Sequence, residues 1–229
     1  IGAAMNKVTG APAEEEGVTG VAPNARIRAY KVCRSNGACD DFAIQQAIVR
    51  AIADGANIIN MSLGSSDYSQ ALDDAVQEAW NAGLVVVAAA GNEGTTVPFY
   101  PAALNNVISV AAFDEDHRRP AFSNYGNWVD MSAPGNVIIS AERISACGGS
   151  TTPGRTGGYS RKSGTSMASP HLAGRAALGV GSSRSGGRSD RGALRDPARP
   201  CDPAAQGARV GAHRHRNADR RRAYGARPV

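Results

Sequence analysis

Leu84-Val85-Val86-Val87-Ala88-Ala89-Ala90 is an uninterrupted apolar run, entered straight from Gly83 and left through Gly91-Asn92-Glu93-Gly94. A strand with one wet face alternates polar and apolar residues, so a run without alternation reads as a strand covered on both faces, the habit of parallel sheets. Upstream, Ala71, Leu72, Ala75, Val76, Ala79 and Trp80 form an apolar stripe at helical spacing, and Asn57-Ile58-Ile59-Asn60-Met61-Ser62 reads as another buried strand. Further upstream Asp40 and Asp41 occupy helix-start positions, Phe42, Ile44, Ile48 and Ile52 recur at roughly helical intervals, and Gly55 supplies the stop. Ala25-Arg26-Ile27-Arg28-Ala29-Tyr30-Lys31-Val32 alternates like a strand with one covered face, and downstream Asn106-Val107-Ile108-Ser109-Val110-Ala111 is a fourth strand. Strands separated by helices of about fifteen residues predict an α/β fold, a three-layer parallel sheet with right-handed crossovers. Sites in such sheets form at the carboxyl ends of strands. That rule points to Ser62-Leu63-Gly64, to residues 91–94 and to the loop before the last helix.

Composition divides the chain. The whole has 229 residues and a formal charge of +5. From Arg175 onward there are 13 Arg, no Lys and four Asp, a balance of +9, which leaves −4 for the preceding 174 residues. Residues 1–178 are therefore expected to form the domain. Residues 179–229, poor in Ile, Phe, Met and Trp, are expected to form a disordered Arg-rich tail that buries too little apolar surface to offset its chain entropy. Arg, Ala, Gly, Pro and Ser without Lys is also what a GC-rich coding region yields when read out of frame, and a frameshift soon after Gly174 explains the tail better than nucleic-acid binding does. Aromatic stacking residues are scarce there, Tyr224 standing alone. The chain opens with no basic-then-apolar leader, and no apolar stretch reaches the roughly 20 residues of a membrane span. Of four cysteines, Cys33 and Cys39 bracket the turn-forming Arg34-Ser35-Asn36-Gly37-Ala38, as a short disulfide loop would.

Gly164-Thr165-Ser166-Met167-Ala168-Ser169-Pro170-His171-Leu172-Ala173-Gly174 carries the chemistry. A Gly-Thr turn opens a helix whose first turn holds Ser166, a hydroxyl beside unpaired backbone N–H groups at the positive end of the helix dipole. This string resembles the nucleophile motif of the subtilisin-like serine proteases, the subtilases. Residues 17–25, Met61-Ser62-Leu63-Gly64, residues 85–94, Tyr100-Pro101-Ala102, residues 122–126 and Ala133-Pro134-Gly135 match further landmarks of that family in the same order. The resemblance implies a subtilisin-like fold over about residues 17–178, with Ser166 as nucleophile. It implies Asn92 as the side-chain donor to the oxyanion, Ser62, Leu63 and Gly64 as an extended wall pairing with substrate, and Ala89, Ala90 and Gly91 as the specificity-pocket wall. Phe99 falls at the pocket floor.

Two parts of the family's triad are missing from the string. Neither an Asp-(Ser/Thr)-Gly nor a His-Gly-Thr-His motif occurs. His171 follows Ser166 by five residues on one helix, about 7.5 Å along the axis and about 140° around it, out of reach of its hydroxyl. His117 sits in a charged turn, and His213 and His215 lie in the tail. The opening Ile1-Gly2-Ala3-Ala4 resembles the end of the helix that carries the family's His, so the expectation is a fragment truncated at the N-terminus. The parent would be a secreted serine endopeptidase cutting polypeptides as a monomer, without catalytic cofactor, membrane or nucleic acid. The alternative is an inactive subtilase-derived binding or structural module. The resemblance further implies structural Ca²⁺, with Glu14-Glu15-Glu16 before residues 17–25 and Asp130 as candidate ligands.

Overall fold

The computed structural model describes Ile1, residues 18–141 and residues 159–184. The expectations for Glu14–Glu16, Cys147, Cys201, His213, His215 and the tail beyond residue 184 lie outside the described residues.

Helix α1 (Asp41–Ala53) starts where the sequence says it should, because Asp40 is its N-cap and accepts from the Ala43 N–H at 3.0 Å. Strand β1 (Ile58–Met61), helix α2 (Gln70–Asn81), strand β2 (Val85–Ala89), strand β3 (Val107–Phe113) and strand β4 (Met131–Pro134) follow. The antiparallel hairpin β5 (Ile138–Ala141) and β6 (Tyr159–Lys162) then leads into helix α3 (Thr165–Arg184). Both early helices stop alike: Gly55 and Gly83 take φ of +70° and +81°. The N–H groups of Ala56 and Leu84 then reach back to the carbonyls of Ala51 and Ala79.

The sheet runs β1-β2-β3-β4, every neighbour parallel. Its layering follows from the period of two along β2. Val86 and Ala88 join Ile44 and Ile48 of α1 and Leu72, Val76 and Ala79 of α2 in one core, while Val87 points the other way, against Ala168 and Ala173 of α3. A residue run without polar alternation is thus explained: β2 is sandwiched, and Val86, Val87, Ala88 and Ala90 are all within 1% of full burial.

Four expectations need correction. Residues 25–32 belong to no ladder, and Ile27 is 60% exposed, because no described strand lies beside them to take up their backbone groups. Phe42 is 68% exposed: it precedes Ile44 by two residues, about 200° around the helix, so it faces away from the stripe that Ile44 and Ile48 bury. Trp80 lies at one margin of the α2 stripe and stays half in solvent, and Ala71, at the other margin, is exposed. Helix α3 does not end near residue 178 but continues through Gly179 and Gly181, where an added Cβ would meet nothing within 4 Å. The tentative disulfide does form, joining Cys33 to Cys39.

A polar cluster ties the end of α1 to the extended segment before it. The Asp54 carboxylate accepts from the Tyr30 hydroxyl at 2.8 Å and pairs with Arg50 and Arg28 at 3.1 and 3.3 Å. The Tyr30 hydrogen bond, then Arg50, hold the Asp54 carboxyl below its usual value. A carboxyl lowered in the folded state stabilises above its unfolded pKa and loses that contribution as pH falls through the folded value. Below about pH 4 the chain is therefore expected to lose stability more steeply than Asp54→Asn does. Urea melts at stepped acidic pH measure this, and parallel curves would refute it.

Candidate active site

The nucleophile candidate owes its setting to a proline. Pro170 has no N–H, so the carbonyl of Ser166, four residues earlier, lacks its helical donor. The Ser62 hydroxyl takes that place, donating to the Ser166 carbonyl at 3.0 Å, and also lies 3.0 Å from the hydroxyl of buried Ser169. The chain leaving β1 is thereby fastened to the first turn of α3. In return the Ser166 hydroxyl points to the Ser62 carbonyl at 3.4 Å, a long contact that leaves it available.

Asn92 is oriented by Thr165. Its Oδ1 accepts from the Thr165 N–H at 2.8 Å and the Thr165 hydroxyl at 3.1 Å, and that hydroxyl accepts from the Gly91 N–H at 3.0 Å. A backbone N–H can only donate, so this network fixes the amide with oxygen toward Thr165 and turns the Nδ2 donors outward. A Cβ placed on Gly164 would lie 3.5 Å from Asn92 Oδ1 and 3.7 Å from both Asn92 Nδ2 and the Ser166 nitrogen, so the Asn92 amide and the Ser166 N–H stand side by side at Gly164. Gly164 itself donates to the Gly135 carbonyl at 2.8 Å, which is how the Ala133-Pro134-Gly135 stretch after β4 supports the loop.

Asn124, wholly buried, holds residues 90–95 in shape. Its Nδ2 donates to the Ala90 carbonyl and to Glu93 Oε2, each at 2.9 Å, and its Oδ1 accepts from the N–H groups of Glu93 and Thr95 at 3.0 and 3.2 Å. Glu93 Oε2 also accepts from the Asn92 N–H at 2.8 Å. The sequence reading passed over Asn124 and Thr165 as donors of shape. Only their position within landmark motifs could have drawn notice, since their partners lie 29 to 34 and 73 to 74 residues away.

The walls expected of the specificity pocket come together. The ring of Phe99 lies between Gly64 and Gly91: a Cβ on either glycine would come within about 3 Å of it. Ala89, Ala90 and Gly91 are buried on one side, and Ser62, Leu63 and Gly64 run along the other. Ser65 and Tyr100 exchange both backbone hydrogen bonds, at 3.0 and 2.7 Å, and the Tyr100–Pro101 bond is cis.

Neither histidine in the described residues approaches Ser166. His171 Nδ1 lies 2.8 Å from the Met167 carbonyl on its own helix, and His117 stacks near Phe113 in the exposed turn. Asp130 stands apart from this cluster. Its Oδ2 accepts from the Ser109 N–H and hydroxyl at 2.9 and 2.8 Å, fastening the entry of β4 to β3.

Ser166 at the start of α3, Ser62 beyond β1 and Asn92 beyond β2 thus gather at the carboxyl ends of strands in a parallel α/β sheet. The chain belongs to the Subtilase family, whose sequence model matches residues 3–185. It is 48% identical over 162 residues to a thermophilic serine proteinase of Bacillus sp. (strain AK1), covering 71% of this chain and 37% of that protein. To thermitase of Thermoactinomyces vulgaris it is 43% identical over 169 residues, covering 74% and 56%. Among solved structures it resembles a lanthipeptide protease with a TM-score of 0.66 and 27% identity, over 72% of this chain and 59% of that one. The chain spans about half the length, or less, of the relatives it matches.

Proposed function

We propose that residues 1–178 are the nucleophile- and oxyanion-bearing part of a secreted serine endopeptidase that hydrolyses polypeptides through an acyl-enzyme on Ser166. The observation that carries the reading is that the Asn92 amide, its Oδ1 held by Thr165, lies beside the Ser166 N–H at Gly164 while the Ser166 hydroxyl makes one long contact. Ser166 Oγ would attack the scissile carbonyl, whose oxygen would come to lie between those two donors as it gains charge. Ser62, Leu63 and Gly64 would pair with the substrate backbone, and Ala89, Ala90 and Gly91 would hold the side chain before the scissile bond, with Phe99 limiting its size.

The base that removes the hydroxyl proton is not among the described residues, and the motifs that would carry it and its Asp are absent from the 229-residue string. The chain alone is therefore an inactive fragment in this reading, and the enzyme needs sequence from elsewhere. Sequencing the coding DNA upstream of Ile1 tests it. A continuous frame encoding the Asp and His motifs, whose product cleaves peptides and loses that activity with Ser166→Ala, supports the protease. An upstream frame with substituted triad positions would favour the inactive binding module. The protein would act as an extracellular monomer, without membrane or nucleic-acid partner. Ca²⁺ would serve structure only, and Asp130 would offer it Oδ1, since Ser109 holds Oδ2.

In the triad-complete protein, Asn92→Ala is expected to lower turnover with little change in KM, because its Nδ2 is aimed at charge that exists only in the transition state. The loss measured in a subtilisin, about 10²–10³ in turnover, is the reference magnitude. A rise in KM at constant turnover would show instead that Asn92 binds the ground state.

A further inference from the structure

The loop from Cys33 to Cys39 holds Asn36-Gly37, the one Asn-Gly pair in the 229-residue sequence; every other asparagine is followed by a residue that carries a Cβ. Both residues are exposed. The Asn36 side chain folds forward along the chain, its Oδ1 accepting from the Ala38 N–H at 3.1 Å. That hydrogen bond closes a ring of atoms to which both the Asn36 Cγ and the Gly37 nitrogen belong, so the amide is held toward the Asn36–Gly37 peptide. It also places a donor on the oxygen that would gain charge if the Gly37 nitrogen attacked Cγ. Among the described residues nothing binds Asn36 Nδ2, so the amide nitrogen is free to leave. Gly37 has no side chain to crowd the attack, and at its φ of +87° a Cβ would meet nothing within 4 Å. One bond opposes the attack: the Gly37 N–H donates to the Arg34 carbonyl at 3.1 Å and has to open first.

We propose that Asn36 is a site of spontaneous covalent modification by water, in which the Gly37 nitrogen attacks the Asn36 side chain and a carboxylate replaces the amide. The Gly37 N–H gives its proton to hydroxide, the nitrogen bonds to Asn36 Cγ, and the Cγ–Nδ2 bond breaks as Nδ2 takes a proton and leaves as ammonia. The cyclic imide then takes up water. Opening at Cγ yields an ordinary aspartyl residue, whereas opening at the Asn36 main-chain carbonyl routes the chain through Cβ and Cγ as an isoaspartyl residue. Water is consumed and ammonia released in equal amounts, with nothing oxidised or reduced. Either product sets a new negative charge in the loop that runs into Asp40, the cap of α1. The isoaspartyl form also lengthens by one carbon the ring that the Cys33–Cys39 bond closes.

The test is peptide mapping by mass spectrometry of the full chain after incubation in mildly alkaline buffer, with isoaspartyl methyltransferase labelling of the same samples. Asn36 is expected to lose its amide about tenfold faster than any other asparagine and to give isoaspartyl product that the methyltransferase labels. The rate should rise with pH, because the attacking nitrogen must first lose its proton. Gly37→Ala should slow the loss about tenfold by setting a Cβ beside that nitrogen. A φ of +87° strains alanine, so Asn36→Gln is the second variant: its longer side chain should keep its amide while circular dichroism shows an unchanged melt. An Asn36 that keeps its amide while other asparagines lose theirs as fast would overturn the proposal. So would loss without isoaspartyl product, which is direct hydrolysis that bypasses the Gly37 nitrogen, or an unchanged rate in Gly37→Ala.

Discussion

Ser166→Ala is expected to leave the peptide hydrolysis of the 229-residue chain unchanged within about twofold, and to remove essentially all of it from a triad-complete protein. The reason is that neither histidine among the described residues reaches Ser166. A serine hydroxyl is a weak nucleophile until a neighbour takes its proton, and residues of a triad act as a unit: in a subtilisin, losing Ser or His alone costs about 2 × 10⁶ in turnover. Here the Ser166 hydroxyl has one long contact, to a carbonyl that cannot accept a proton usefully, and His171 is committed to the Met167 carbonyl. What survives without the triad is the contribution of the oxyanion donors and of binding, about 10³–10⁴ over water. Both chains would be measured on one chromogenic peptide beside an intact subtilase. A rate for the unaltered chain within tenfold of the intact enzyme, or a further loss of hundredfold on Ser166→Ala, would show that some group does activate Ser166 and would end the fragment reading.

Asn124→Ala should cost about 3–5 kcal/mol in unfolding free energy, a large effect for one site. The side chain is wholly buried and its amide makes four hydrogen bonds, which hold the Ala90 carbonyl, the Glu93 carboxylate and the N–H groups of Glu93 and Thr95. Truncation strands several of those partners away from water, at about 1–3 kcal/mol each, with part regained where Thr95 and Glu93 reach solvent. Because Glu93 Oε2 also receives the Asn92 N–H, the loss should reach the oxyanion donor. Denaturant unfolding gives the stability and, in a triad-complete protein, turnover gives the second effect. A change below about 1 kcal/mol would mean that water replaces the amide and that the loop keeps its shape without it.

What could be read ahead of the structure follows the range of the forces involved. Caps and stops act over three or four residues, so Asp40, Gly55 and Gly83 were legible as they stand, and the residue run through β2 declared a sandwiched strand because both its faces are buried by helices. Phe42 misled because roughly helical spacing admits a residue two positions out of phase. The β5–β6 hairpin was not foreseen, since Ile138–Ala141 and Tyr159–Lys162 pair across an intervening stretch and neither carries a run long enough to stand out. Residues 25–32 have the alternation of a strand, yet a strand needs a neighbour to become a ladder, and none is described beside them.

For the site, the identities of Ser166 and Asn92 stood in the sequence, because a motif around a helix start is local and the resemblance covered many landmarks in order. The sequence by itself determined the layer architecture, the helix boundaries at Asp40, Gly55 and Gly83, the family, and the absence of the Asp and His motifs from this string. Only the tertiary structure decided that Thr165 turns the Asn92 amide, that Pro170 leaves a carbonyl for Ser62 to satisfy and that Asn124 holds the loop. Each of these joins groups dozens of residues apart, through hydrogen bonds and close packing that exist only once the sheet has brought the carboxyl ends of its strands together.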